Sequence, residues 1–216
     1  MIKKISILNP KGGCGKTTLC TNLGSWLLNS GYKVMLVDSD PQGTLRDWKS
    51  MDSDNSQPSV VVIDKPNLQK DFNQFAKDLD FIIIDGAAKL HEMIAFSVKN
   101  ADIILIPVQP SAADIWACDA LIQLIKARQE VTNGLPKAVF VISRQIKNSN
   151  LAKDINDTLE HFQLKILNSR TSQRVLYSEA LSSGKTVIEL DPNGGASTEI
   201  KNITQEVLNL IMETNE

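Results

Sequence analysis

The sequence predicts an α/β fold in which a mostly parallel, twisted sheet lies between two layers of helices. Short apolar runs alternate with amphipathic segments along all 216 residues, and this alternation is typical of parallel strands joined by helical crossovers. Several runs are apolar at every position, as expected for strands that helices cover on both faces. Because no linker divides the chain, we predict a single domain over residues 1–216 with a Rossmann-like three-layer architecture.

Composition narrows the class of protein. The chain is 42% hydrophobic and 22% charged with a formal net charge of -2, which fits an ordinary globular protein and not a disordered or broadly basic one. Its three cysteines, Cys14, Cys20 and Cys118, form no C-x-x-C pair, which argues against zinc or iron–sulfur ligation. The unpaired cysteines and the lack of a signal peptide or of a run of about 20 apolar residues predict a cytoplasmic protein.

The first half of the chain contains four predicted strands and four predicted helices. Ser30-Gly31 ends the first helix, and Pro66 opens the third. The polar segment Met51–Pro58 is predicted to be a mobile loop. The strands are Ile5–Leu8, Val34–Val37, Ser59–Ile63 and Phe81–Ile84, and the helices are Lys16–Leu28, Thr44–Ser50, Pro66–Leu79 and about Leu90–Val98.

The second half continues the same alternation up to a C-terminal helix. Asn133-Gly134 ends the segment Ala112–Val131, which is predicted to be the longest helix. The last predicted helix carries apolar residues on one side and acidic residues elsewhere, so we expect it to dock on the sheet and not on a membrane. The remaining strands are Ile103–Ile106, Ala138–Ile142 and Ile166–Leu167, and the remaining helices are Leu151–Phe162, Val175–Leu181 and Ser197–Met212.

A phosphate-binding loop is predicted between the first strand and the first helix. Gly12, Gly13 and Gly15 would let backbone N–H groups point inward around phosphate oxygens. Lys16 would reach the β- and γ-phosphates of ATP, and the Thr17 hydroxyl would ligate Mg²⁺. The usual pattern is G-x-x-x-x-G-K-[ST]; here Pro10 replaces the first glycine and an additional lysine, Lys11, follows it.

Carboxylates follow two of the predicted strands, where a metal-dependent phosphoryl site needs them. Asp38 and Asp40 come after the second strand, and Asp85 ends the run Ile82–Ile84 in the manner of a Walker B segment. The carboxyl ends of parallel strands meet at one edge of a sheet. We therefore expect Asp85 to hold Mg²⁺ through water, Asp40 to position the attacking water, and Asp38 to brace Lys16 or a metal-bound water.

Several blocks together resemble the ParA/MinD group of deviant Walker ATPases, a branch of the P-loop NTPases. Within this group the chain resembles the small ParA partition ATPases of plasmids. These lack an N-terminal helix-turn-helix domain, and we expect none here because the first strand begins almost at Met1. The blocks are Lys11–Thr18, Val37–Gly43, Ile82–Gly86, Ile106–Ser111, Ser178–Val187 and Asp191–Ala196.

The resemblance implies an ATP hydrolase that forms a homodimer around bound ATP. Lys11 would cross the dimer interface and contact the partner's phosphates, while Lys16 and Asp40 would act in hydrolysis. The ATP-bound dimer would bind DNA without sequence preference and associate with the nucleoid, and a small ParB-like centromere-binding protein would stimulate hydrolysis. The implied nucleotide-binding residues are Lys11, Gly12, Gly13, Cys14, Gly15, Lys16, Thr17, Thr18 and Arg144, and the implied metal-site residues are Thr17, Asp38 and Asp85.

Two alternatives to DNA partition remain open at this stage. One is a ParA-like positioning ATPase that moves another cargo, and the other is a P-loop metabolic ligase.

The segment after Asp85 departs from the pattern of the ParA/MinD group. It reads Gly86-Ala87-Ala88-Lys89, whereas many relatives carry a proline-containing run there. Basic residues that could contact DNA phosphates lie in the C-terminal third of the chain, namely Arg170, Arg174, Lys185 and Lys201.

Overall fold

Seven parallel strands form one sheet. The computed structural model describes residues 2–63, 78–88, 91–146 and 151–213, and the strand order is β3-β2-β4-β1-β5-β6-β7. The predicted α/β class is confirmed, and every predicted strand is present with ends shifted by no more than two residues. The strands are β1 (Lys3–Ile7), β2 (Val34–Asp38), β3 (Ser59–Val62), β4 (Phe81–Asp85), β5 (Ile103–Val108), β6 (Lys137–Ile142) and β7 (Lys165–Ile166).

Nine helices occur in the described ranges. The predicted Pro66–Leu79 helix lies almost wholly outside those ranges. The short helix Val187–Leu190 was not predicted, and it begins at a capping box formed by Thr186 and Glu189. The helices are α1 (Lys16–Asn29), α2 (Thr44–Ser50), α3 (His91–Asn100), α4 (Ala112–Trp116), α5 (Asp119–Glu130), α6 (Leu151–Glu160), α7 (Val175–Ser182), α8 (Val187–Leu190) and α9 (Gly195–Met212).

The prediction of one long helix over Ala112–Val131 is wrong. A turn at Ala117-Cys118 separates α4 from α5, and the longest described helix is instead α9, with 18 residues. At this turn the Cys118 N–H bonds to the Ile115 carbonyl at 3.0 Å, a tighter spacing than an α-helix uses. The fully buried Cys118 side chain lies 3.5 Å from Asn9 Nδ2, so packing against the loop after β1 accompanies the break.

Residues alternate between the two faces of the sheet. On β5, Ile103 and Leu105 belong to the core beneath α1 and α9, whereas Ile104 and Ile106 belong to the core beneath α5 and α6. The expected docking of the last helix is confirmed, because its apolar face is buried in the first of these cores. The buried residues of that face are Ile200, Ile203, Val207, Leu210 and Ile211. In the described parts of the chain, no helix is both long and apolar enough to span a membrane.

The connection between α2 and β3, predicted as a mobile loop, has neither helix nor strand. Hydrogen bonds cross-link it: Lys49 Nζ donates to Asp52 Oδ2 at 2.6 Å, to Asn55 Oδ1 at 2.9 Å and to the Gln57 carbonyl at 3.1 Å. The mobility of this loop stays a prediction.

Strand register brings the predicted site residues to one edge of the sheet. β4 pairs with both β1 and β2, so that Asp85 lies beside Ile7 on one side and beside Asp38 on the other. Gly86 continues the chain past Ile7, where a Cβ atom would come within 2.7 Å of the Ile7 carbonyl oxygen and 2.2 Å of Leu8 Cδ2. Glycine is therefore required at this position for the backbones to approach so closely.

Candidate functional site

A glycine-rich loop joins the carboxyl end of β1 to the first turn of α1. Gly13 and Gly15 have φ angles of 74° and 99°, a left-handed conformation that glycine adopts without steric cost. Gly15 directly precedes α1, and no side chain caps this helix. The first backbone N–H groups of α1 are therefore available to an anion, and the positive end of the helix dipole favours negative charge at the same point.

Hydrogen bonds from neighbouring elements hold the carbonyls of this loop. Ser143 Oγ donates to the Cys14 carbonyl at 2.6 Å. The Gly13 carbonyl accepts from Gln109 Nε2 at 3.0 Å and from Arg144 Nη1 at 2.9 Å. Burial raises the pKa of the Cys14 thiol above its usual value, so this cysteine stays protonated near neutral pH and packs as a small side chain.

The Lys16 side chain folds back along the loop. Its ammonium group donates to the Lys11 carbonyl at 2.9 Å, and the residue is only 7% exposed. An ammonium group has three N–H donors, so Lys16 could also donate to a phosphate oxygen bound in the loop. This placement fits the predicted contact of Lys16 with phosphates.

Thr17 and Asp85 meet at the base of the loop. Thr17 Oγ1 donates to Asp85 Oδ2 at 2.7 Å, while the second, buried oxygen of Asp85 has no hydrogen-bond partner among the described residues. Burial raises the pKa of Asp85 to about 7, although the hydrogen bond from Thr17 opposes this shift. The Thr17 hydroxyl and the Asp85 carboxylate, which has one unsatisfied oxygen, form a donor set that fits a Mg²⁺ ion and its water ligands.

The described side chains offer only a partial ligand set for a metal ion at this point. In the described ranges, no group of three or more His, Cys, Asp or Glu side chains is arranged to hold a metal ion. Mg²⁺ in nucleotide sites is held by one or two protein groups together with substrate phosphates and water. The pair formed by Thr17 and Asp85 matches that division of ligands.

Asp38 is fully buried beside Asp85 but is paired elsewhere. One of its oxygens accepts from the Asp40 N–H at 3.1 Å, and the other accepts from the Arg46 N–H at 3.1 Å and forms an ion pair with Arg46 Nε at 3.1 Å. The pKa of Asp38 is raised above its usual value, because burial outweighs the lowering effect of the contacts with Arg46 and the backbone. The described contacts therefore join Asp38 to Arg46, and the predicted bracing of Lys16 or of a metal water by Asp38 stays a prediction.

Asp40 lies on the loop between β2 and α2 and lines the same cavity as the glycine loop. Its carboxylate accepts from the Gln42 N–H at 3.0 Å and is partly exposed. An ionisable group with access to the cavity is positioned where it could orient a water molecule. The predicted role of Asp40 is compatible with this location.

Lys11 forms an ion pair within its own chain. Its Nζ lies 2.6 Å from Asp114 Oδ1 on α4, and its side chain is 39% exposed. The Lys11 backbone N–H donates to Asn9 Oδ1 at 2.7 Å, which fixes the start of the loop. Lys11 therefore lies at the surface of the site with a partner that it would have to leave in order to contact another subunit.

A cavity of about 860 Å³ extends from the glycine loop towards α7, a volume suited to a nucleotide-sized ligand. Arg144 lines it and has a φ angle of 54°, and its N–H bonds to Thr171 Oγ1 at 3.1 Å. The segment Arg170–Gln173 contributes Thr171 and Ser172 to the wall. The rest of this end of the cavity, which the sequence did not indicate, comes from Arg174, Tyr177, Ser178 and Leu181.

The basic residues of the C-terminal third differ in their surroundings. Arg174 donates from Nε and Nη2 to Glu199 Oε1 at 3.1 and 2.8 Å, so its charge is neutralised within the chain. Lys185 and Lys201 are exposed. The sequence alone did not distinguish these residues, whereas the structure makes Lys185 and Lys201 the better candidates for contact with an external anion.

Comparison with known proteins places the chain among nucleotide-binding domains. Residues 5–187 match the family described as the CobQ/CobB/MinD/ParA nucleotide binding domain. This match covers the glycine loop, the aspartates of the site (Asp38, Asp40 and Asp85) and Arg144. It agrees with the resemblance to the ParA/MinD group.

Curated relatives and a solved structure extend this match to nearly the whole chain. The maintenance of carboxysome distribution protein A of Halothiobacillus neapolitanus is 33% identical over 209 residues, which cover 94% of this chain and 95% of the relative. The chromosome-partitioning ATPase Soj of Thermus thermophilus is 22% identical, with 98% of each chain covered. The septum site-determining protein MinD of Pyrococcus horikoshii, solved with Mg-ADP, superposes with a TM-score of 0.74 at 19% identity over 96% of each chain.

Proposed function

Because this chain belongs to the CobQ/CobB/MinD/ParA nucleotide binding domain family, we propose that it is an ATP hydrolase that positions a cargo by cycling on and off DNA as a dimer. The observation that carries the catalytic part is the pair formed by Thr17 and Asp85, 2.7 Å apart at the base of the glycine loop. The structure solved with Mg-ADP is that of a MinD protein with the same fold, which supports ATP and Mg²⁺ as the cofactors of this chain.

Hydrolysis transfers the γ-phosphoryl group of ATP to water. A bond forms between a water oxygen and the γ-phosphorus, the bond to the β–γ bridging oxygen breaks, and ADP and inorganic phosphate are released. Lys16 and the N–H groups of the loop would stabilise the negative charge on the phosphates. Asp40 would orient the attacking water, and Thr17 and Asp85 would hold Mg²⁺, which neutralises phosphate charge when it is bound.

Lys11 supports a dimeric active unit. Two lysines beside one phosphate loop repel each other unless concentrated negative charge neutralises both. Lys16 is buried under the loop, whereas the Lys11 side chain is 39% exposed at its rim. Once released from Asp114, Lys11 would contact a triphosphate bound to a second copy of the chain, where it would act like an arginine finger.

The packing of α9 supports DNA, and not a membrane, as the surface on which the protein cycles. A membrane-binding amphipathic helix needs a free apolar face. The apolar face of α9 is used in the core, with Ile203 and Val207 at most 1% exposed. Lys185 and Lys201 are exposed and could contact the phosphate backbone.

Two kinds of cargo are supported by different relatives. Similarity to the Soj partitioning ATPase favours a plasmid or chromosome, whose ParB-like centromere-binding protein would stimulate hydrolysis. The 33% identity to a carboxysome distribution protein favours a carboxysome-like body as the cargo. A gene for a small DNA-binding protein beside this one would support partition.

Association with DNA tests the proposal. Purified protein is mixed with a non-specific duplex in the presence of Mg-ATP, Mg-ADP or no nucleotide, and light scattering and gel shifts report binding. We expect association with ATP and little with ADP. If the protein hydrolyses ATP but ignores DNA in every nucleotide state, the positioning function on DNA is wrong, and rapid turnover stimulated by a metabolite would indicate a ligase.

A further inference from the structure

Arg46 joins the Asp38 carboxylate at the end of β2 to the backbone of the loop that follows this strand. The guanidinium Nε lies 3.1 Å from Asp38 Oδ2, and Nη2 donates to the carbonyls of Asp40 and Pro41 at 3.1 and 3.3 Å. The Arg46 N–H also donates to Asp38 Oδ2 at 3.1 Å. A single side chain thus contacts both the buried acid at the end of the strand and the backbone of the loop that carries Asp40.

Asp38 and Arg46 also define how α2 begins. This helix has no side-chain cap at Gly43, but the Asp38 carboxylate accepts the N–H of Arg46, the third residue of α2. An acid that accepts from an orphan N–H at a helix N-terminus stabilises that end. Asp38 therefore fixes the start of α2, and α2 returns Arg46 to Asp38 and to the loop.

The loop fits closely around the guanidinium group. Gly43 has a φ angle of 73°, and a Cβ atom at this position would lie 2.8 Å from Arg46 Nη2. The Gly43 N–H bonds to the Asp40 carbonyl at 3.0 Å, which closes the turn on the same oxygen that Arg46 contacts. The planar fork of arginine can serve a carboxylate and two carbonyls at once, which the single ammonium of lysine cannot do in the same geometry.

We infer that Arg46 is a positioning residue for ATP hydrolysis, which holds the Asp40 loop in the conformation that aims the Asp40 carboxylate at the attacking water. Arg46 itself does not line the cavity, so it acts through Asp40 and not on the nucleotide. This inference rests on the proposed function, because it takes Asp40 as the group that orients water.

Kinetics of Arg46→Gln test the inference. Hydrolysis is measured in single turnovers with excess enzyme, and ATP affinity is measured separately with a fluorescent ATP analogue. We expect the hydrolysis rate to fall by about tenfold to a hundredfold, the range typical of residues that orient catalytic groups, while the dissociation constant for ATP changes by less than about twofold. Arg46→Lys should fall between the wild type and Arg46→Gln, and millimolar guanidinium should restore part of the rate of Arg46→Gln.

A matched control separates positioning from fold stability. Lys49→Gln removes another ion pair of the same helix, with Asp52 at 2.6 Å, and should leave the hydrolysis rate unchanged. In an Asp40→Asn background, Arg46→Gln should cause no further loss, because Arg46 acts only through the Asp40 carboxylate. Equal losses in both backgrounds, an effect of Arg46→Gln on ATP affinity alone, or no effect on the rate would overturn the inference.

The outcome for Asp40→Asn alone identifies which proposal fails. If Asp40→Asn hydrolyses ATP at the wild-type rate, the proposed role of Asp40 is wrong. If Asp40→Asn loses hydrolysis and Arg46→Gln retains it, only the role of Arg46 is wrong.

Discussion

Lys11 Nζ and Asp114 Oδ1 lie 2.6 Å apart, so the lysine expected to reach a partner subunit is held within its own chain. The two residues come from the loop after β1 and from α4, which are 103 positions apart in the sequence. In the proposed dimer, Lys11 would leave this ion pair to contact the second subunit. Asp114 would then oppose dimerisation in two ways, by retaining Lys11 and by adding negative charge near the phosphate site.

Asp114→Asn is expected to strengthen ATP-dependent dimerisation. Because the pair is partly exposed, its loss is worth at most about 1 kcal/mol in each chain. Two chains form the dimer, so the dimer dissociation constant should fall by at most roughly thirtyfold. Analytical ultracentrifugation with a slowly hydrolysed ATP analogue measures this constant. Asp119→Asn, at an exposed acid on the neighbouring helix, serves as the control, and an equal shift in both variants would argue against a specific role for the pair.

Thr17→Ala should remove the dependence of ATP affinity on Mg²⁺. The hydroxyl that bonds Asp85 is also the expected metal ligand, so its loss should weaken affinity in Mg²⁺ by about tenfold or more. Affinity in EDTA should change little. Isothermal titration calorimetry with and without Mg²⁺ checks this, Thr17→Ser should behave as wild type, and an equal loss of affinity in both buffers would contradict a metal role.

Glu199→Gln should destabilise the fold at neutral pH. Its carboxylate accepts from Arg174 at 2.8 Å, from Tyr177 Oη at 2.9 Å and from the Ser172 N–H at 3.0 Å. Neutralising this partly buried acceptor should lower the free energy of unfolding by about 1–3 kcal/mol. Urea denaturation measures the difference, and Glu179→Gln on the exposed side of α7 should have little effect.

The stability difference for Glu199→Gln should depend on pH in one direction. Burial alone would raise the pKa of Glu199, but hydrogen bonds from Arg174, Ser172 and Tyr177 outweigh it, so the folded-state pKa is lowered. A lowered folded pKa contributes stability that is present above the unfolded-state pKa and is lost as pH falls through the folded value. The gap between wild type and Glu199→Gln should close in acid, and a gap that widens in acid would contradict this assignment.

Ile203→Ala should destabilise the protein without creating or removing membrane binding. Ile203 is 0% exposed in the core beneath α9, so the cavity should cost about 2–5 kcal/mol. Met212→Ala, at a side chain that is 57% exposed, should change stability by less than about 0.5 kcal/mol.

The wild-type protein should not bind membranes. Vesicle sedimentation with anionic lipids should show no binding of the wild type in ATP, and ATP-dependent binding would favour a membrane cycle.

Features that depend on local sequence were predictable. Strands such as β2 and β4 are continuous apolar runs, and the loop from Gly12 to Thr17 combines glycines with a lysine and a hydroxyl in a fixed spacing. The alignment of Asp38 with Asp85 followed from the rule that parallel strands end at one edge. These parts of the fold and site need no knowledge of distant contacts.

Features that depend on distant partners were not predictable. The break between α4 and α5 has no proline or glycine to mark it, and it accompanies packing of Cys118 against Asn9, 109 positions away. Arg46 is one of several charged residues in a short amphipathic helix, and only the folded chain brings it to Asp38. Charge composition likewise could not show that Arg174 is neutralised by Glu199 whereas Lys185 is exposed.

In the proposed cycle, ATP brings two copies of the chain together through Lys11. Multi-angle light scattering of the wild type and of Lys11→Ala, each with Mg-ATP and with Mg-ADP, measures this association. We expect wild-type dimers with ATP and monomers with ADP, while Lys11→Ala binds ATP but stays monomeric or fails to hydrolyse it as a dimer. Dimers of wild type that form equally with ADP, or a Lys11→Ala protein that dimerises and hydrolyses ATP normally, would contradict the claim.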